Sequence, residues 1–319
     1  MGSAVRSTSS DRQYKLDGVT PPLPPGVPGL TSVVTVNFNA GPLLITAARA
    51  VLCSTAPVEL IVVDNGSSDE SVAALRAAIA DDRLTVIEAG ANLGFSRATN
   101  IGIRASRGEL VLVLNPDCIV DADTVERMRT TMAAHPEAGM SGCLVRNPDG
   151  TEQAGSRRAV PTPWRSLVRT FGLARIFPHH RKLFDDFVLA GLPLPPGPVP
   201  MEAISGAFML VRRSALAEVG LLDEGYFLHC EDLDWCMRFR DAGQSILFVP
   251  DVDVVHHKGH CSRDRPVRVL WHMHRGMIRF YGKFFRHQYP RPFLWVVFAG
   301  VWVRFLATSA RALLGTRRT

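Results

Sequence analysis

Two phosphate-gripping motifs are missing from this chain. No G-x-G-x-x-G follows the first apolar run, and no G-x-x-x-x-G-K-[ST] loop occurs anywhere. Both motifs use glycine to lay backbone N–H groups on phosphates at a helix start. The dehydrogenase and P-loop modes of holding a pyrophosphate are therefore disfavoured. The six cysteines contain no C-x-x-C pair and several lie in apolar stretches. They read as reduced core residues of a cytosolic protein rather than as disulfides. There is no helix-turn-helix, zinc-finger or RNP-like pattern, so no nucleic-acid partner is expected. No secretory pattern opens the chain, so secretion is not expected either. Acid is almost absent from one end. Residues 258–319 carry 13 Lys and Arg against the single acid Asp264. The remaining residues carry 23 basic and 29 acidic side chains, so the net charge of +6 is a C-terminal property. It points to an anionic surface or a phosphate-bearing substrate.

What is present reads as an α/β enzyme. Hydrophobic residues are 46% and charged residues 21% of the 319, in the range of globular domains. Residues 1–29 are Ser-, Pro- and Gly-rich and read as a disordered leader. Four apolar runs follow, at 32–36, 58–63, 85–87 and 110–114, separated by helical patterns. The alternation predicts a mostly parallel sheet sandwiched by helices. Polar residues follow each run: Asn37 and Asn39, Asp64 and Asn65, Asn92, and Asp117. Ligands of open α/β sheets bind at the carboxyl ends of the strands. A single polar end is an ordinary turn, but four describe a crevice for a nucleotide. Asp117, after the buried run 110–114 and Pro116, suits a divalent cation carrying phosphates. That stretch alone fits a turn aspartate equally well.

Residues 139–156 read as a strand and a turn at 147–150, and residues 157–200 as an insertion or acceptor-side loop without period. Residues 204–211 read as one buried strand containing Gly206. Glu231, Asp232 and Asp234 open a helix among Phe, Leu, Trp and Met. Acids favour helix starts, yet one suffices there, and a carboxylate in apolar surroundings can serve as a general base. His256 and His257 end the strand that begins near Val252, as metal or phosphate contacts, and alternation lets only one of them face the site. Near the C-terminus, residues 293–303 are 11 uncharged residues, short of the roughly 20 that span a bilayer. Gly300, Arg304, Thr308, Arg311 and Gly315 share one stripe, opposite Trp295, Trp302, Phe305, Leu306 and Leu313. A basic amphipathic helix with tryptophans suits a membrane interface; a core or dimer-contact helix has the same pattern, and a homo-oligomer stays open.

Together, seven ordered motifs spanning about 31–262 resemble family-2 glycosyltransferases of the GT-A fold, in the bacterial rhamnosyltransferase-like branch. They are Val34-Thr35-Val36-Asn37-Phe38-Asn39; Val62-Val63-Asp64-Asn65-Gly66-Ser67-Ser68-Asp69; Asn92-Leu93-Gly94-Phe95 with Asn100; Asn115-Pro116-Asp117; Ser205-Gly206-Ala207; Glu231-Asp232-Leu233-Asp234-Trp235; and Val255-His256-His257-Lys258. The resemblance implies a GT-A domain over 30–262, a variable insertion at 157–200, and a basic, membrane-associating helical region over 263–319. It implies an inverting transferase with a nucleotide-diphosphate sugar donor, best fitted by dTDP-rhamnose. Asp64 would contact the base, and Asn37, Asn39, Asn65, Asn92, Gly94, Asn100 and Asn115 would line the donor site. Asp117 would hold Mg²⁺ or Mn²⁺, with His256 completing the shell in preference to His257. Asp232 would be the base, with Glu231 and Asp234 as neighbours. Ser205, Gly206, Trp235, His257 and Lys258 fall on the acceptor side. The metal motif of such enzymes often reads Asp-x-Asp, whereas its first position here is Asn115. The acceptor would be polyprenyl-diphosphate-linked or a polysaccharide, with the enzyme cytoplasmic and peripheral on the inner face of the bacterial plasma membrane.

Two other classes make different demands. A nucleotidyltransferase would carry a basic, Gly-rich loop after the first strand, where this chain has Asn37-Phe38-Asn39-Ala40-Gly41. A membrane-surface binding module would bind tightly without Asp117.

Overall fold

The computed structural model describes residues 23–171, 176, 186–259 and 266–315. Most of the leader, parts of the 157–200 stretch, His260 and Cys261 lie outside the described residues. The first half alternates as expected: β1 (Val27–Asn37), α1 (Pro42–Leu52), β2 (Val58–Asp64), α2 (Ser71–Ala78), β3 (Leu84–Glu88), α3 (Phe95–Ala105) and β4 (Gly108–Leu114). Then come β5 (Cys118–Ile119), α4 (Thr124–Ala134), β6 (Ala138–Arg146), β7 (Arg157–Arg158), α5 (Pro163–Thr170), β8 (Val199–Pro200), β9 (Ala203–Ile204) and β10 (Phe208–Arg212). The chain continues through α6 (Leu216–Val219), α7 (Glu231–Asp241), β11 (Ser245–His256), α8 (Pro266–Phe284) and α9 (Arg291–Gly315).

The main sheet runs β3-β2-β1-β4-β10-β6-β11-β5, with β8 beside β11. Strands β1 to β4 are mutually parallel, β10 lies antiparallel between β4 and β6, and β6 and β11 are parallel. All seven residues of β2 are buried. That explains the unbroken apolar run from Leu60 to Val63, since a strand covered on both faces has no reason to alternate, while buried Glu59 is held by Ser32 and Arg107. One face carries α1 and α4 through Leu44, Ala48, Val51, Met128 and Met132. The other carries α3, α7 and α8 through Ile103, Trp235, Phe239, Phe280 and Tyr281. The five described cysteines form no disulfide.

Four boundaries differ from the sequence reading. Strand β1 begins at Val27, inside the expected leader, because Val27 pairs with Gly108 of β4. Residues 204–211 are not one strand: β9 and β10 are separated at Ser205–Ala207, and β9 leaves the main sheet to pair with β7. The stretch 157–200 is partly regular, because Thr162 caps α5 by accepting from Arg165 N and Val168 is buried. Lastly, α9 is longer than its 11-residue apolar core, and Arg291–Leu314 is long and apolar enough to cross a membrane by length and composition. A packed helix meets the same measure, and one side of α9 does pack. Leu294, Val297 and Val301 are buried, and Trp302 meets Trp271 of α8 at 5.0 Å between ring centroids. The other side bears Trp295, Val296, Val303 and Leu306, each between 64% and 68% exposed.

Candidate active site

The parallel register brings the polar strand ends together. Asn37 at the end of β1 stands opposite Asp64 at the end of β2. Asn37 Nδ2 is within 2.9 Å of Asp64 Oδ1, 3.0 Å of Ser67 Oγ and 2.9 Å of Ser71 Oγ. Asp64 Oδ2 also accepts from Ser67 N at 3.2 Å. Asn39, at φ 54°, accepts from Ser68 N at 2.7 Å and Asp69 N at 3.2 Å. Asn65 donates to Asn92 Oδ1 at 3.1 Å and accepts from Leu93 N at 2.8 Å. These bonds fix three loops as one rim. Gly94, at φ +87°, opens α3. A Cβ there would stand 2.7 Å from Phe227 O, so the glycine lets the donor-side rim meet the segment before α7. Phe95 N donates to the same carbonyl at 2.7 Å.

Asp117 and His256 are joined by the two-residue pairing of β5 with β11, His256 opposite Cys118. Asp117 Oδ1 and His256 Nε2 are 3.1 Å apart, and both residues are buried. Asn115 Nδ2 is 3.2 Å from the same Nε2. On the far side of the ring, His256 Nδ1 is 2.8 Å from Gln153 Oε1. That contact fits an Nδ1–H donor and turns the Nε2 lone pair toward Asp117, the arrangement usual for a metal-binding imidazole. The pair could therefore hold one divalent cation. Among the described residues no cluster of three or more His, Cys, Asp or Glu has metal-holding geometry. Two protein ligands suit Mg²⁺ or Mn²⁺, which commonly complete their shell with substrate phosphates and water. His257 contributes its backbone N to Asp117 O at 2.9 Å, and Lys258 is exposed beyond it.

Across the cleft, α7 starts from a strained turn. His229 and Cys230 have φ 67° and 70°, rare for residues with a Cβ. The turn is pressed from behind by α8, where a Cβ on Gly276 would lie 2.8 Å from His229 O. Asp232 Oδ2 accepts from Arg158 Nη2 and from Gly206 N, the latter at 3.3 Å. Glu231 is buried, and its Oε2 has no hydrogen-bond partner among the described residues. Burial first, and then the charge of Asp232, push its carboxyl up to about 8.

Four expected site residues lie buried among partners in the interior. Asp234 is fully buried, 0% exposed, with Arg238 Nε at 2.7 Å and Lys283 Nζ at 2.6 Å. It is the anchor that ties α7 to α8. Trp235 is packed in the core and donates from Nε1 to Gly220 O at 3.0 Å, so it does not stand on the acceptor side. Asn100 is buried and binds Leu222 O at 2.9 Å and Leu222 N at 3.0 Å, a strut between α3 and the loop after α6. Asn37 is likewise 0% exposed and holds Asp64 from behind. Ser205 turns the chain between β9 and β10, accepting from Ala207 N at 3.2 Å.

Sequence reasoning missed Gln153 and Arg158. Gln153 had a usable signal. The turn at 147–150 folds the chain back so that Gln153 N reaches Val145 O at 2.8 Å, beside the β11 strand that ends in His256. Arg158 sat in a stretch without period and gave none.

A mostly parallel sheet with helices on both faces, polar strand ends, and an Asp–His pair across from an acidic helix start is the GT-A type of nucleotide-sugar transferase fold. The mannosyltransferase PcManGT from Pyrobaculum calidifontis, solved in complex with GDP-Man and Mn²⁺, has this fold. It superposes with a TM-score of 0.54 at 18% identity, covering 93% of this chain and 78% of that one. The profile described as Glycosyl transferase family 2 matches residues 32–190. An N-acetylglucosaminyl-diphospho-decaprenol L-rhamnosyltransferase of Mycobacterium tuberculosis is 30% identical over 299 residues, 90% of this chain and 95% of its own length. The rhamnosyltransferase WbbL of Escherichia coli K12 is 26% identical over 193 residues, 58% of this chain and 69% of its own. The chain belongs to glycosyl transferase family 2 and is a glycosyltransferase. Fold and family thus agree with the resemblance carried by the seven motifs.

Proposed function

We propose that this enzyme transfers L-rhamnose from dTDP-rhamnose, with inversion, to a polyprenyl-diphosphate-linked or polysaccharide acceptor in cell-surface glycan synthesis. The observation that carries this reading is the end-to-end similarity to a rhamnosyltransferase whose acceptor is a diphospho-decaprenol. In this reading the rim built by Asn39, Asp64, Asn65 and Asn92 receives the nucleotide. Mg²⁺ or Mn²⁺, held by Asp117 and His256, would neutralise charge building on the leaving diphosphate. Asp232, on the opposite wall, takes the acceptor hydroxyl proton while that oxygen attacks the anomeric carbon from the face away from the diphosphate. One base suffices for a single inverting displacement. The exposed apolar side of α9 and the 13-to-1 excess of basic residues beyond 257 support a place on the inner surface of the bacterial plasma membrane.

The test is transfer itself. Purified protein is incubated with labelled dTDP-rhamnose, or in parallel with labelled UDP-sugars, plus Mg²⁺ and a lipid extract. Label is expected in the lipid fraction with dTDP-rhamnose, and Asp232→Asn is expected to lower the rate about 100-fold or more. Transfer from a UDP-sugar alone would overturn the donor. Full activity of the Asn variant would overturn the base.

A further inference from the structure

Asp232 is held by groups from outside its own helix. Arg158 Nη2 binds Asp232 Oδ2 and also donates to Ile204 O at 3.3 Å. The guanidinium is placed by a strand pair, since Arg158 of β7 stands in register with Ala203 of β9. Gly206 N reaches the same Oδ2 at 3.3 Å, and Leu233 N binds the other oxygen at 2.8 Å. A Cβ on Gly206 would stand 3.1 Å from Asp232 Cβ, so the turn after β9 fits against this side chain. The neighbouring acid is treated differently: Glu231 Oε2 has no hydrogen-bond partner among the described residues.

Among the described residues, the charged and titratable groups around Asp232 are few. Glu231, Asp234 and Cys236 share its helix, His229 and Cys230 precede it, and Arg158 faces it from β7. Lys258 and His272 stand beyond His229. Of those adjoining Asp232, Arg158 alone carries a permanent positive charge.

We infer that Arg158 is a positioning residue of the transfer reaction, which aims the Asp232 carboxylate at the acceptor hydroxyl and selects it over Glu231 as the proton acceptor. The inference rests on the reading of Asp232 as the base. In the step so described, the acceptor O–H proton passes to Asp232 and the oxygen forms its bond to the anomeric carbon. The bond from that carbon to the diphosphate oxygen breaks, and the diphosphate keeps the electron pair. Arg158 takes no proton and touches no reacting atom. It gives the carboxylate a fixed direction and a balancing charge.

The test compares Arg158→Gln, Arg158→Lys and Asp232→Asn in the transfer assay, each checked by thermal melting. Arg158→Gln is expected to lower kcat by about 10- to 100-fold, the scale on which misplaced catalytic groups lose rate. The KM for the donor should stay within about threefold of the parent. Arg158→Lys, which keeps the charge without the fork, should recover part of kcat. Parental kcat in Arg158→Gln, or a raised donor or acceptor KM with kcat unchanged, overturns the inference, the second by making Arg158 a binding residue. If the Gln variant does not fold, the Lys variant decides: kcat lowered at unchanged KM supports the inference, and parental kcat overturns it. An active Asp232→Asn would instead remove the underlying reading, whatever Arg158 does.

Discussion

At the carboxyl ends of β1 to β3, Asn37, Asn39, Asp64, Asn65 and Asn92 bind one another and the loop backbone around them. At the start of α7, Glu231 has an oxygen and Arg158 an Nε with no partner among the described residues, and two consecutive residues adopt positive φ. The first wall is a hydrogen-bonded frame built largely of carboxamides around the carboxylate of Asp64. The second stores charge and backbone strain, which persist only where the surroundings over-determine them. Here the surroundings are β7, β9 and α8. In the function proposed above, the wall that receives the nucleotide can be relaxed beforehand, whereas the wall that accepts the proton has to keep a carboxylate incompletely satisfied.

Three experiments can break or sharpen that contrast. The largest effect is expected on the donor wall. With Mn²⁺ and a nucleoside diphosphate at about 100 times their dissociation constant, the parent should gain about 2.7 kcal/mol of stability. Asp117→Ala should lose that gain while melting normally without ligand. If metal-dependent stabilisation survives, the Asp117–His256 pair is not the metal site. Next comes the anchor beneath the acceptor wall. Lys283→Met leaves buried Asp234 with Arg238 alone, and denaturant unfolding should show a loss of about 1.5–3 kcal/mol, as for a hydrogen bond to a charged group. A neutral outcome would mean that α8 does not brace this wall. The smallest effect is a slope. The Glu231 carboxyl sits near 4.5 when unfolded and about 8 when folded. The unfolded chain therefore releases this proton first, so the Glu231 contribution to stability is full below pH 4.5 and declines from there to about pH 8. Glu231→Gln should flatten the melting-temperature profile across that window. An unchanged profile would show that Glu231 is not held protonated by its burial.

The frame was legible in the residues because parallel strands buried on both faces must be apolar throughout and must end in something polar. Leu110 to Leu114 followed by Asn115-Pro116-Asp117 shows this most plainly. Asp64 and Asp117 stand out for the same reason, and the start of α7 stands out by its three acids among apolar residues. What could not be read was direction. Asp232 and Asp234 look alike in sequence, two residues apart, yet one meets Arg158 and the other Lys283. Each partner is an arginine or lysine far along the chain, in a segment with no local signature of its role. Trp235 and Asn100 were misjudged similarly, because a polar or aromatic residue beside a motif can as well bind Gly220 O or Leu222 O in the interior. The strained pair before α7 also has no signature, since neither His229 nor Cys230 is a glycine.

The two-residue strand β5 has a consequence for how the molecule comes into being. It is the seam that joins Asp117 to His256, which lie far apart along the chain and meet through only two backbone pairs. The family-matched stretch ends at residue 190, before His256, Asp232 and the helix that braces them. On a ribosome β1 to β5 are made well before β11, so the segment that carries Asp117 emerges long before the one that carries His256. Closing this seam, and with it the contact between the two side chains, therefore waits for nearly the whole sheet to be synthesised.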